Sequence, residues 1–196
     1  MFMDILLKMF IIKFYTVIFI NIIYKYWLNN LYITKKSGGI TMGKIFKFDK
    51  DVDTDQIIAS QYLLYPTIDE MKVHTFESLD KDFAANVKPG DYVVASDNFG
   101  CGSSREQAPS VLKALGVKAV IAKSFARIFY RNAINIGLPV IVCKDLHDNV
   151  ESGDEMELLL TEGIVNVNGK QYECTKLPPY MQGILDQGGL IASLNK

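Results

Sequence analysis

The sequence predicts an α/β domain with a parallel-sheet core and a C-terminal β-hairpin region. Three observations predict it. Short runs at 92–95, 118–122 and 139–143 are continuously apolar rather than alternating, the pattern of strands buried on both faces. Helical patterns with short connections separate them, and that strand–helix–strand–helix–strand rhythm implies parallel pairing. Beyond Asp145 the helical patterns give way to short strands and an Asn168-Gly169 turn.

Residues 1–41 stand apart from this pattern. They are rich in Ile, Phe, Tyr, Lys and Asn, contain no proline, and hold glycine only at Gly38 and Gly39. Phe14 to Tyr24 is apolar apart from Thr16 and Asn21, but Lys13 and Lys25 bracket it. Such a run is shorter than the ~20 residues of a membrane helix, and it lacks the small-residue cleavage site of a secretory signal. We expect 1–41 to be a non-native or disordered leader and 42–196 to be the working domain. From Met42 onward glycine and proline punctuate the chain regularly, over a length sufficient for one real core.

The elements of that domain follow in order. Lys44 to Phe48 alternates and reads as a strand. A polar turn with Asp49, Asp51, Asp53 and Asp55 follows; turn chemistry accounts for most of these carboxylates. Asp53, Thr54 or Asp55 is placed to cap a short segment at 56–59. The apolar, aromatic stretch Ser60 to Thr67 is broken by Pro66 and reads as core or as the lining of an alkyl pocket. Residues 68–90 carry a polar helical stretch, closed by the Lys88-Pro89-Gly90-Asp91 turn. A strand at 92–96, a helix from Ser103 to about Gly116, a strand at 118–122, a helix at 124–135 and a strand at 139–143 follow. Strands at 155–160, 164–167 and 171–174 and a last short helix at 181–187 complete the chain.

Net charge is −1, so nothing points to nucleic acid or an anionic membrane surface. Cys101, Cys143 and Cys174 are odd in number and widely spaced, unlike a zinc or iron–sulfur ligand set or a disulfide framework. His74 sits in a polar stretch and His147 in a turn; both read as surface residues, and no Ser-His-Asp arrangement is visible. Arg127 and Arg131 share a helical face at i and i+4, suited to substrate, a partner, or a salt bridge to the aspartate-rich turn.

The chemistry concentrates in Asn98-Phe99-Gly100-Cys101-Gly102-Ser103-Ser104-Arg105-Glu106. Gly100 and Gly102 admit backbone angles closed to other residues and let a ligand approach the main chain. Ser103 with Glu106 three residues on forms the pattern of a capping box, which would place Ser103 at a helix tip suited to anions. Arg105 offers a planar fork for a carboxylate. A cap needs only one hydroxyl, and two serines with an arginine exceed that need. A serine without histidine can abstract a proton next to a carboxylate if its alkoxide is stabilised. Eliminating water from a hydroxy acid further needs a Lewis acid. This chain offers no ligand set for one, so for that reaction the metal must come from another polypeptide.

That stretch resembles the signature of the aconitase superfamily's swivelling β/β/α domain. Asp53-Thr54-Asp55 and Ser124-Phe125-Ala126-Arg127-Ile128 match its other two landmarks, in order, and the resemblance covers essentially 42–196. A separate chain of this size is similar to the small subunits of the superfamily's two-chain hydro-lyases. The resemblance implies interconversion of 2- and 3-isopropylmalate through a cis-alkene in leucine biosynthesis. A homoaconitase or dimethylmalate dehydratase type, or a non-catalytic anion-binding module, is the alternative. The resemblance further implies a heterodimer or heterotetramer with a large subunit that carries a [4Fe–4S] cluster, none being held here, while the cysteine pattern reads as cytoplasmic.

In that family Ser103 is implied as the catalytic base. Ser104 and Arg105 would bind the substrate carboxylate, and Asp55 would line the site and orient an arginine. Leu63, Leu64 and Tyr65 belong to the loop to which substrate choice is attributed. Leu64 stands where relatives acting on tricarboxylic acids carry arginine. Burying an isopropyl group there is worth about 1–3 kcal/mol, whereas a third carboxylate would be desolvated without a cation. Gln107 departs from the histidine that many relatives carry.

Overall fold

The structure, a computed structural model, describes residues 42–194; the leader expected over 1–41 lies outside the described residues. Strands β1 (Gly43–Phe48), β2 (Tyr92–Ala95), β3 (Ala119–Ala122) and β4 (Val140–Val142) pair in parallel. Strands β5 (Glu155–Leu159), β6 (Ile164–Val167) and β7 (Lys170–Glu173) extend the sheet antiparallel from the other side of β1. The order is β4-β3-β2-β1-β5-β6-β7, the α/β arrangement with an appended hairpin region that the sequence predicts. Asn168 and Gly169 both take positive φ (49° and 74°), as the tight turn between β6 and β7 requires.

Alternation along β2 explains why its sequence is continuously apolar. Val93 and Ala95 enter one core and Tyr92 and Val94 the other. The first core is covered by helices, among them α4 (Gln107–Ala114), through Val111 and Leu112, and α5 (Arg127–Ile136), through Phe129 and Ala133. The second is closed by Met156, Leu158, Val165 and Val167 of the antiparallel strands. The amide of Thr175, just past β7, donates to the Val142 carbonyl of β4 at 2.8 Å. The chain beyond one edge of the sheet thus returns to the other edge, and the sheet curls around the second core.

Several boundaries move from their expected places. The polar stretch at 68–90 is not one helix but short pieces, α2 (Ile68–Met71), a 3₁₀ turn at Lys72–His74 and α3 (Phe83–Asn86). The helix expected from Ser124 starts at Arg127, because 124–126 run extended beside the signature turn with Phe125 bridged to Phe99. The helix expected at 181–187 spans Pro179–Asp186, and a further one at Leu190–Leu194 follows. His147 is not a surface residue: it is buried, its Nε2 donating to the Phe48 carbonyl at 3.0 Å and so tying the loop after β4 to the end of β1.

Gly100 earns its place by proximity as well as by φ (+77°). A Cβ there would sit 2.2 Å from Cγ of Phe129, itself almost fully buried. Gly100→Ala is expected to cost about 3 kcal/mol through backbone strain and overpacking. Thermal unfolding of the variant should show Tm lowered by roughly 10 °C; an unchanged Tm would show that α5 can yield at no cost.

Candidate active site

The loops leaving the C-terminal ends of β1 and β2 run side by side and build the site, where open parallel sheets generally place ligands. Main-chain bonds hold them together: Gly100 N to Val52 O at 2.7 Å, Thr54 N to Cys101 O at 2.9 Å and Asp51 N to Asp97 O at 2.8 Å. Asn98 sits at φ +60° and donates from Nδ2 to Asp51 Oδ1 at 2.9 Å, while its amide donates to Ser124 Oγ. All three landmark segments of the sequence meet here.

The first loop is anchored by helix α1 (Thr54–Ile57). Asp53 caps it: its carboxylate accepts from Gln56 N at 2.7 Å, and Gln56 Oε1 accepts from Asp53 N at 2.9 Å. That capping box points Thr54 across to the second loop. Thr54 is buried, and its Oγ1 accepts from Ser103 N at 3.1 Å and lies 3.1 Å from Ser103 Oγ. It also lies 3.2 Å from the Ser103 carbonyl.

Ser103 therefore does not cap a helix. Helix α4 begins only at Gln107, with Glu106 at its N-cap and no side-chain cap bond. Pro109 supplies the reason. A helix capped by Ser103 would place Pro109 in its interior, where its ring and missing N–H break the ladder, whereas a start at Gln107 leaves it in the first turn. Ser103 and Ser104 are both exposed, on the segment leading into the helix. The signal was present in the sequence, in the proline rather than in the Ser-x-x-Glu pattern.

Arg105 is the most firmly held of these side chains. It pairs with Asp55 at 2.6 Å, donates from Nη1 to the Ile58 carbonyl at 3.0 Å and from Nη2 to Ser60 Oγ at 2.8 Å. Ser60 Oγ in turn donates to Asp55 Oδ1 at 2.9 Å. The hydrogen bond from Arg105, then that from Ser60, holds the Asp55 carboxyl below its ordinary value. Three of the guanidinium's five N–H donors are thereby committed, and Nε with one Nη2 hydrogen remains for a ligand.

The neighbouring 3₁₀ turn, Ser60–Leu64, carries the loop of apolar side chains. Leu63 packs with Tyr62 against the first core, whereas Leu64 is 88 % exposed and Tyr65 lies outward beside it. Tyr62 stacks flat on His74, with centroids 3.8 Å apart, and His74 Nδ1 lies 3.1 Å from Glu77. His74 is thus the side support of this turn. Arg127 and Arg131 remain exposed, and among the described residues neither makes a salt bridge to the aspartate-rich turn, one of the roles the sequence left open; Lys123 pairs with Asp148 at 2.7 Å. Gln107 occupies the first position of α4.

Burial, then the Asp53 and Asp51 carboxylates, push the Cys101 thiol up, and its Sγ lies 3.6 Å from the Asp51 carbonyl as a donor. Among the described residues no group of three or more His, Cys, Asp or Glu is placed to hold a metal ion. The donor set here is hydroxyl, guanidinium and carboxylate.

Fold and site together define a swivelling domain of the aconitase type, and the aconitase C-terminal domain family matches residues 42–145. The small subunit 1 of 3-isopropylmalate dehydratase from Archaeoglobus fulgidus is 51% identical over 152 residues, covering 76% of this chain and 94% of that protein. The corresponding small subunit of Methanosarcina mazei is 50% identical over 156 residues, 79% of this chain and 96% of its own. The crystal structure of a 3-isopropylmalate dehydratase from Methanocaldococcus jannaschii superposes with a TM-score of 0.75 at 44% identity, covering 79% of this chain and 92% of that one. The chain belongs to the family of 3-isopropylmalate dehydratase small subunits.

Proposed function

We propose that this chain is the small subunit of a cytoplasmic 3-isopropylmalate dehydratase and supplies half of an active site that a large subunit completes. It would serve leucine biosynthesis by interconverting 2- and 3-isopropylmalate. The observation that carries the reading is the placement of the exposed Ser103 hydroxyl on the segment that leads directly into an anchored Arg105 with donors to spare.

Ser103 Oγ, having given its own proton to solvent, accepts the proton from the carbon next to the substrate carboxylate. The C–H electron pair becomes the π bond of the cis-alkene as the C–O bond on the neighbouring carbon breaks and hydroxide departs on the partner's side. The reverse addition at the other carbon completes the isomerisation. Arg105, through Nε and its free Nη2 hydrogen, and the Ser104 hydroxyl hold the carboxylate; Asp55 keeps the guanidinium in place. The [4Fe–4S] cluster implied by the family resemblance would be carried by the large subunit, the groups offered on this side being hydroxyl, guanidinium and carboxylate. When bound there it supplies the Lewis acid for the leaving hydroxyl.

Leu64 faces open surface and is free to meet an alkyl group once the large subunit closes over this face. That favours isopropylmalate over the tricarboxylic substrates of homoaconitase-type relatives. The purified chain mixed with its large subunit is expected to hydrate the alkene and form both isopropylmalates; an inert mixture would defeat the reading. Leu64→Arg should lower kcat/KM for 2-isopropylmalate by about tenfold to a hundredfold. Unchanged selectivity in competition with a carboxylated analogue would remove Leu64 from substrate choice.

A further inference from the structure

Thr54 holds its neighbour more closely than a structural cap requires. Three polar atoms of Ser103, its N, Oγ and carbonyl O, lie 3.1, 3.1 and 3.2 Å from the single hydroxyl of Thr54. Thr54 is 1 % exposed, so its hydroxyl is withdrawn from bulk water, whereas Ser103 is exposed. A hydroxyl has one proton to give and two lone pairs to offer. One lone pair is taken by the Ser103 N–H. The proton then has two acceptors within reach, the Ser103 carbonyl and Ser103 Oγ, and cannot serve both well.

We propose that Thr54 is a positioning residue for Ser103 whose hydroxyl turns its proton from the Ser103 carbonyl to Ser103 Oγ as that oxygen becomes an alkoxide. This rests on the reading of Ser103 as the base. While Ser103 is neutral, its own O–H can donate into the second lone pair of Thr54, leaving the Thr54 proton on the carbonyl. When Ser103 loses its proton, the strongest acceptor in reach becomes Oγ, and the Thr54 proton moves to it by rotation about Cβ–Oγ1 alone. The bond is made where negative charge develops and needs no rearrangement of the buried loop, which is the condition for electrostatic stabilisation to count in the rate. The charged groups carried by the two loops, Asp49, Lys50, Asp51, Asp53 and Asp55 on one and Asp97, Arg105 and Glu106 on the other, are unaltered by changes at Thr54.

The test uses the chain assembled with its large subunit. Thr54→Val keeps the volume and removes the hydroxyl. It is expected to lower kcat about tenfold to a hundredfold with KM within about twofold. The rising limb of the kcat–pH profile should move to higher pH by about one unit, because an alkoxide without its donor is harder to form. Thr54→Ser should restore both, and Thr54→Cys, a weaker donor, should fall between and decide the matter if the valine variant fails to assemble. On a Ser103→Ala background Thr54→Val should add no further loss. A kcat loss with an unmoved pH limb, or one that serine does not rescue, would show Thr54 to be merely structural. Full activity of Thr54→Val beside an inactive Ser103→Ala overturns this inference alone; an active Ser103→Ala overturns the base assignment and takes this inference with it.

Discussion

Ser103→Ala is expected to lose at least about 10³-fold in kcat, the upper range for removal of a general base. Assembly with the large subunit should be unchanged. The geometry argues for this separation. Ser103 is exposed, and besides the contact of its hydroxyl with Thr54 the turn is held by main-chain groups: Ser103 N donates to Thr54 Oγ1, and Cys101 O, two residues earlier, accepts from Thr54 N. Alanine keeps those bonds and deletes only the hydroxyl. Steady-state kinetics in both directions with gel filtration of the complex would check it. Near-normal turnover would remove Ser103 from the base role, whereas loss of assembly would mean that the hydroxyl supports the interface instead.

Arg105→Lys is expected to cost about 10²- to 10³-fold in kcat/KM, chiefly through KM. A lysine offers a single charged nitrogen where the guanidinium now reaches the Ile58 carbonyl, Ser60 Oγ and Asp55 together and still has donors for a carboxylate. The same change should loosen the Ser60–Leu64 turn, seen as faster amide exchange there. Wild-type KM in the lysine variant would mean that the substrate carboxylate is held elsewhere. The Asp55 partner sets the acid limit of this clamp. Because its native carboxyl is held below the unfolded value of 3.8, its contribution is complete above that pH and is lost only as pH falls through the lower native value. Asp55 is half exposed, so the contribution to overall stability is small, and the effect belongs to local order at the site.

Most of the architecture was legible in the chain. The continuous apolar runs at 92–95 and 119–122 are buried on both faces, and the Asn-Gly pair does turn β6 into β7, because each is a local pattern read over a few residues. The signature residues were likewise legible as a group, since Gly100 through Arg105 are contiguous. Less legible were features whose cause lies elsewhere in the fold. The polar stretch at 68–90 breaks into short pieces that pack Met71, Phe76 and Phe83 into the first core, so burial rather than helix propensity sets its shape. His147 looked like an ordinary turn residue, yet a carbonyl ninety-nine positions away claims its Nε2.

The amino-acid sequence by itself determined the α/β class, the order of the elements and the family to which the chain belongs, because period, turn residues and contiguous motifs are short-range properties. Only the tertiary structure decided where helix α4 begins, which hydroxyl stands behind Ser103 and how far the sheet curls. Thr54 and Ser103 are forty-nine residues apart. Their contact exists because β1 and β2 lie side by side in parallel and release their loops at the same edge, a juxtaposition set by the packing of the sheet.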